Sequence, residues 1–309
     1  MDDETVGGAA VGDPAVVDRT VSDTSAAFLR AIELTETEAL VSDRAFLAMP
    51  QPVPWAKAYG GDTVAQAAVS AVRTVAEDRV IHSMHGYFMR PSDPADPVRY
   101  EIEQLRDGRS FSTRGIRAYQ YGKPIFVGTV SFHISEEGAQ QWMPQPSGLP
   151  DPESLPSSAQ VLVGVDSAAA KYWSHGRSFD MRHVPSPVYL RVDGELVAHQ
   201  AVWIKAFDAL PDDANVHRAA LAYVCDYTIL EPVLRAHGYA WADQGLVTAS
   251  LDHALWFHRA GRMDRWVVYV QEAVSAQGGR GLAQGRFYDA DGTLLASVAQ
   301  EGMIRKSHA

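Results

Sequence analysis

The chain has 309 residues, 46% of them apolar, and a formal net charge of −11 from 38 acidic and 27 basic side chains. That size supports one large core or two of ordinary domain dimensions, and the acidic balance argues against nucleic acid as a partner, because a polyphosphate rewards dense positive charge. No apolar run reaches the length of a bilayer span, and Met1-Asp2-Asp3-Glu4 is the reverse of a secretory leader's basic start, so no membrane partner and a cytoplasmic location are expected. The single cysteine, Cys225, excludes an internal disulfide and a cysteine-rich metal site. Beside an aspartate in a helix it reads as a small buried hydrophobe, and the sequence calls for neither a metal nor another cofactor.

Residues 1–22 are Gly, Ala, Asp and Val without periodicity and read as a tail. A short amphipathic helix carrying Phe28, Leu29 and Ile32 follows, then a strand over Ala45 to Ala48. The first long helix starts after Tyr59, where Gly60-Gly61-Asp62-Thr63 leads into Val64, Ala65, Ala68, Val72 and Val75. Two glycines there admit close backbone approach to a helix start, whose free N–H groups favour negative charge. Four strand-like runs come next: Val80 to Phe88, Val98 to Leu105, Phe111 to Tyr119 and Pro124 to Ile134, parted by Gly and Pro turn signals. From Glu137 to about Asp193, Pro144, Pro146, Pro150, Pro152 and Pro156 and a helical patch at Val161 to Tyr172 mark a linker. The order then returns as a strand over Ala201 to Phe207, a helix over Asn215 to His237, and strands over Leu246 to His258, Trp266 to Ala273, Arg280 to Tyr288 and Leu294 to Ile304.

The repetition reaches single residues. Phe88-Met89-Arg90 matches Phe257-His258-Arg259 at an offset of 169, and the turn glycines Gly122 and Gly292 lie 170 apart. Duplication of one unit is the simplest account. A long helix wrapped by a curved antiparallel sheet is the hotdog arrangement, so the expected fold is α+β, a double hotdog with halves at residues 23–137 and 194–309 and a linker at 138–193.

Three polar residues in the second half stand where packing calls for hydrocarbon. The stripe of the Asn215–His237 helix runs Ala219, Ala222, Tyr223, Asp226, Ile229, Leu230 and Val233, with a carboxylate in its middle and no Lys or Arg within a turn on that stripe. Ser250 lies in the next strand, and Gln300 lies among Ala296, Val298 and Ile304. Buried polar groups that satisfy one another are the plain structural alternative. As a set, however, a carboxylate, a hydroxyl and a carboxamide can hold and deprotonate one water molecule. A Ser250, Asp252 and His253 hydrolase triad is disfavoured, since strand alternation places His253 on the face opposite the other two and no Gly-x-Ser-x-Gly elbow occurs. His82 and His85 fall on opposite faces by the same rule and make a poor metal pair.

Several runs carry a resemblance. Ala249-Ser250-Leu251-Asp252-His253-Ala254-Leu255-Trp256-Phe257-His258-Arg259, the terminal Gln300-Glu301-Gly302-Met303-Ile304-Arg305, Leu105-Arg106-Asp107-Gly108-Arg109-Ser110-Phe111, His82 to Pro91 and Gly122 to Phe126 are similar to the bacterial acyl-CoA thioesterase II family. The match runs in order from about Ala45 to Arg305. It implies a double hotdog that hydrolyses fatty acyl-CoA to free acid and CoA in lipid metabolism, with Asp226, Ser250 and Gln300 as the catalytic set. It also raises Arg106, Arg109 and Arg114 as contacts for the CoA phosphates, against the plain reading of a solvated hairpin. Gly60 and Gly61 are candidates for oxyanion donors, and Trp256 is a core residue or a wall of the acyl tunnel. The family commonly has Gly-Gly-Gln where this chain has Gly60-Gly61-Asp62. An acyl-CoA binder without turnover and an enoyl-thioester hydratase are the alternatives, and homodimeric or homotetrameric assembly is left open.

Overall fold

The computed structural model of the protein describes residues 21–307; the tail read at residues 1–22 lies almost wholly outside them. Helix α1 (Val21–Ala31) leads to strands β1 (Thr35–Thr37) and β2 (Arg44–Ala48), then helix α2 (Gly60–Val72) and the meander β3 (Arg79–Phe88), β4 (Val98–Asp107), β5 (Phe111–Gln120) and β6 (Lys123–Ile134). Two short helices, α3 (Ser158–Val161) and α4 (Ala168–Lys171), precede β7 (Phe179–Val184) and β8 (His199–Ala206). The second unit continues with α5 (Ala214–Thr228), α6 (Glu231–Ala236), β9 (Leu246–Ser250), β10 (Asp252–Phe257), β11 (Val267–Gln277), β12 (Arg280–Asp289) and β13 (Leu294–Lys306).

The strands form one antiparallel sheet in the order β1-β2-β4-β5-β6-β3-β10-β13-β12-β11-β8-β7, with β9 also paired to β13. The order on the two sides of the β3–β10 seam is mirrored, and His85 pairs with Ala254 across it. The sheet wraps α2 and α5, which pack on each other, and residues of both helices and both sheet halves share one core that includes Val64, Ala68, Phe126, Tyr223 and Phe287. This is the double hotdog expected from the sequence. The stretch read as a linker also contributes to the sheet: β7 is its outermost strand, paired with β8, and Phe179 and Met181 enter the common core.

Three local departures from simple periodicity position the site. The helix expected over Asn215 to His237 is two helices, because Pro232 at the start of α6 lacks the N–H that would continue α5 and suits a first helical turn. The strand expected over Leu246 to His258 is interrupted at Leu251. Ser250 pairs with Gly302 and Ala254 with Ala299, so four steps along this strand oppose three along β13: a β-bulge. An equal irregularity occurs in β3, where Ile81 pairs with Phe132 and Ser83 with Ser131 while His82 is the extra residue. Because of it Ile81 and Met84, three apart, are both buried, and His82 and His85 both lie toward the outer surface, correcting the opposite-face expectation. His82 Nε2 bonds Ser131 Oγ at 2.8 Å, and no group of potential metal ligands occurs among the described residues.

Candidate active site

Asp226, Ser250 and Gln300 arrive from α5, β9 and β13 and meet. Ser250 Oγ donates to Asp226 Oδ1 at 2.7 Å, Gln300 Nε2 donates to the same oxygen at 2.6 Å, and Gln300 Nε2 also lies 2.9 Å from Ser250 Oγ. Gln300 is fully buried, whereas Asp226 and Ser250 keep partial access to solvent. Burial is the largest influence on Asp226 and raises its carboxyl above the usual aspartate range; the hydrogen bonds from Ser250 and Gln300, the nearby His253 and the Gly61 N–H act in the opposite direction. The result is a carboxylate held by neutral donors, with no Lys or Arg paired to it among the described residues.

The start of α2 closes over this carboxylate. A β-carbon at Gly60 would lie 2.5 Å from Asp226 Oδ2 and displace that carboxylate, and one at Gly61 would lie 2.2 Å from the Tyr223 carbonyl oxygen and drive α2 from α5. Asp226 therefore receives the positive end of the α2 dipole from the other half of the molecule. Tyr59, just before α2, donates to the Tyr223 carbonyl at 2.6 Å and stacks on Tyr227 at 4.4 Å between ring centroids, fixing the approach of the two helices. Both glycines thus lie beside Asp226, and the Gly61 N–H serves its carboxylate.

The remaining candidates are placed elsewhere. Arg106 and Arg109 are exposed on the β4–β5 hairpin, where the Arg109 carbonyl accepts from Arg79 Nη2 at 3.0 Å. Arg79 begins β3 and Phe88 ends it beside Leu251, so the hairpin is up to about 30 Å along the strand from the three site residues at a rise of roughly 3.3 Å per residue. Arg114 on the same hairpin is buried and bound to Asp107 and Thr74, a structural clamp. Trp256 corrects the expectation of a core or tunnel position: alternation in β10 buries Leu255 and Phe257 and leaves Trp256 39% exposed on the outer face, edge-on to His85. Cys225 is buried, donates to the Leu221 carbonyl and has its thiol pushed well up by burial, which suits the inert hydrophobe inferred from sequence.

His253 is the residue that strand alternation misplaced. The bulge at Leu251 turns it inward, where it is 2% exposed and its Nδ1 lies 2.6 Å from Gln300 Oε1. It has no hydrogen bond to Ser250, and Asp252 instead accepts from the Glu301 N–H at 2.8 Å, so these three form no serine-hydrolase relay.

Comparison with known proteins identifies the family of the chain. A family model described as acyl-CoA thioesterase matches residues 174–303, and one described as acyl-CoA thioesterase N-terminal domain matches residues 49–133. Acyl-CoA thioesterase 2 of Haemophilus influenzae is 32% identical over 273 residues, covering 86% of this chain and 94% of that protein. The chain belongs to the acyl-CoA thioesterase II family. Human acyl-coenzyme A thioesterase 8 is 34% identical over 263 residues, 82% of each chain. The crystal structure of the acyl-CoA thioesterase II TesB2 from Mycobacterium marinum superposes with a TM-score of 0.74 at 34% identity, covering 91% of this chain and 98% of that one. The protein is accordingly an acyl-CoA thioester hydrolase, and acyl-CoA is its substrate.

Proposed function

We propose that Asp226 is the general base of this thioesterase and that Ser250 and Gln300 set its geometry for water attack on a fatty acyl-CoA. The observation that carries the reading is the convergence of both donors on a single oxygen, Oδ1. With Oδ1 occupied, Oδ2 is the oxygen left to orient and deprotonate a water. That water's oxygen bonds to the thioester carbonyl carbon while its proton passes to Asp226. The tetrahedral oxyanion then collapses, breaking the C–S bond; the sulfur leaves with the proton returned from Asp226, and the carboxylic acid and CoA are released. The first amide of α2, Gly60, has no acceptor within its own helix and is our candidate oxyanion donor. Arg106 and Arg109, at the far end of β3, are left out of this catalytic set.

Hydration of an enoyl thioester would want an aspartate and a histidine presented together to the substrate. His253 is buried behind Gln300 and bonds to that amide, which disfavours such a pair. Asp226→Asn keeps the shape and removes the base, so thiol release from acyl-CoA should fall on the order of a hundredfold to ten-thousandfold with an unchanged melting temperature. A folded Asn variant that hydrolyses at the parent rate would refute the assignment.

A further inference from the structure

A carboxamide has two nearly isosteric ends, and only one orientation of Gln300 serves Asp226. Its Nε2 must face Asp226 Oδ1 and Ser250 Oγ, at 2.6 and 2.9 Å, because turning the amide would set an acceptor oxygen against a carboxylate. The other end, Oε1, is 2.6 Å from His253 Nδ1, and a carbonyl oxygen can only accept. Nδ1 must therefore carry a proton. His253 Nε2 is buried and has no hydrogen-bond partner among the described residues. Burial holds the imidazole below its usual pKa, so its single proton belongs on Nδ1 and the vacant lone pair on Nε2. Donors then run in one direction, from His253 to Gln300, from Gln300 to Ser250 and Asp226, and from Ser250 to Asp226.

The first half of the molecule shows that the fold itself does not demand this arrangement. The offsets of 169 and 170 place His253 and Gln300 opposite Met84 and Val130, and these two are direct partners in the β3–β6 ladder. Both are fully buried hydrocarbon positions. The same sheet position closes with an apolar pair in one half and with an imidazole and an amide in the other.

We propose that His253 is a positioning residue of the hydrolytic site, which fixes the Gln300 amide by donating from Nδ1 to Oε1 and thereby directs both amide hydrogens toward Asp226 and Ser250. The proposal rests on the reading of Asp226 as general base. Asparagine can mimic the Nδ1–H of histidine, whereas methionine reproduces the first half's apolar choice and donates nothing.

The test compares His253→Met, His253→Asn and Asp226→Asn in steady-state acyl-CoA hydrolysis from acid to neutral pH. His253→Met should lower kcat by roughly tenfold to a hundredfold with KM nearly constant, since a bond to a charged group is weakened without touching the substrate. The acid limb of its kcat profile should move to higher pH, because Asp226 loses part of the hydrogen bonding that holds its pKa down. The titratable groups around this network are Asp226, Asp252 and His85 beside the imidazole and Tyr59, Cys225 and Tyr269 beside Asp226, and none of them is altered in these His253 variants. His253→Asn should recover most of kcat and the parent limb. A His253→Met enzyme with parental kcat and profile would overturn the proposal while an inactive Asp226→Asn leaves the base assignment standing; an active Asp226→Asn would remove the base assignment itself. Should the Met variant fold poorly, nitrogen-15 NMR of the unmodified enzyme decides: a neutral Nδ1–H tautomer at His253 supports the proposal, and an Nε2–H tautomer or a cation refutes it.

Discussion

In the first half, Ile81, Met84 and Val130 face the core at the sheet registers that Ser250, His253 and Gln300 hold in the second, and even the bulge is repeated, at His82 and at Leu251. The central helices differ in the same sense. Each carries a buried or half-buried carboxylate whose pKa is raised chiefly by burial. Among the described residues Asp62 on α2 accepts only from Gln51, through the backbone N–H at 2.9 Å and weakly through Nε2 at 3.4 Å, and it is shut away from solvent. Asp226 on α5 has two side-chain donors on one oxygen and is only partly buried. At these positions one scaffold thus supports an apolar cluster in one half and a partly accessible polar cluster in the other, and the polar set is an addition to the fold rather than a requirement of it. The halves still need each other, since the glycines of α2 in the first reach the aspartate of the second.

The comparison can be broken most severely by writing the first half's residue into the second. Gln300→Val should fold and lose kcat by roughly tenfold to 150-fold, as expected when a bond to a charged group of about 1.5–3 kcal/mol is removed, with the melting curve as the control for folding. A Val variant with parental turnover would mean that the amide is only packing. The reverse exchange, Val130→Gln, places an amide opposite Met84 in hydrocarbon without a partner. It should cost about 1–3 kcal/mol in chemical denaturation and leave kcat near the parent value.

At Ser250 the comparison is sharpened by a graded pair. Threonine keeps the hydroxyl on a strand that suits β-branching and should preserve turnover, whereas alanine should lower it by about tenfold, the equivalent of roughly 1.4 kcal/mol. Equal loss in both variants would show that shape rather than the hydroxyl matters. A comparable effect belongs to Asp62, whose pKa burial raises from the ordinary carboxylate range to about 7. A carboxyl with a higher pKa folded than unfolded binds extra protons in the native state, so its contribution to stability is complete below the unfolded pKa and is lost as pH rises through about 7. Between pH 6 and pH 8 that loss is about 1.4 kcal/mol. Asp62→Asn should remove this slope from the unfolding free energy, and an unchanged slope would place the titration elsewhere.

Much of this was legible in the sequence because the signals were local or repeated. The doubled order of helix and strands follows from periodicity, turn residues and the offset of 169, and Asp226 and Gln300 stand out because their neighbours on the same face are apolar. His253 was not legible: period-two alternation is reliable only in an unbroken strand, and the extra residue at Leu251 reverses it. The same cause misplaced His82 relative to His85. The break between α5 and α6 did have a signal, Pro232, which ends the first helix even though the apolar stripe continues to Val233. Strand β7 was hidden by the prolines around it, and its pairing with β8 is a long-range choice that local composition does not encode.

The central claim is that water, activated by Asp226, attacks the thioester directly and that Ser250 never carries the acyl group. Intact-protein mass spectrometry of the enzyme during turnover, with the first-turnover release of CoA recorded in parallel, tests it most directly. Direct water attack predicts unmodified protein throughout and CoA release without an initial burst. A burst of CoA accompanied by an acyl adduct on the peptide containing Ser250, or on that containing Asp226, would contradict it.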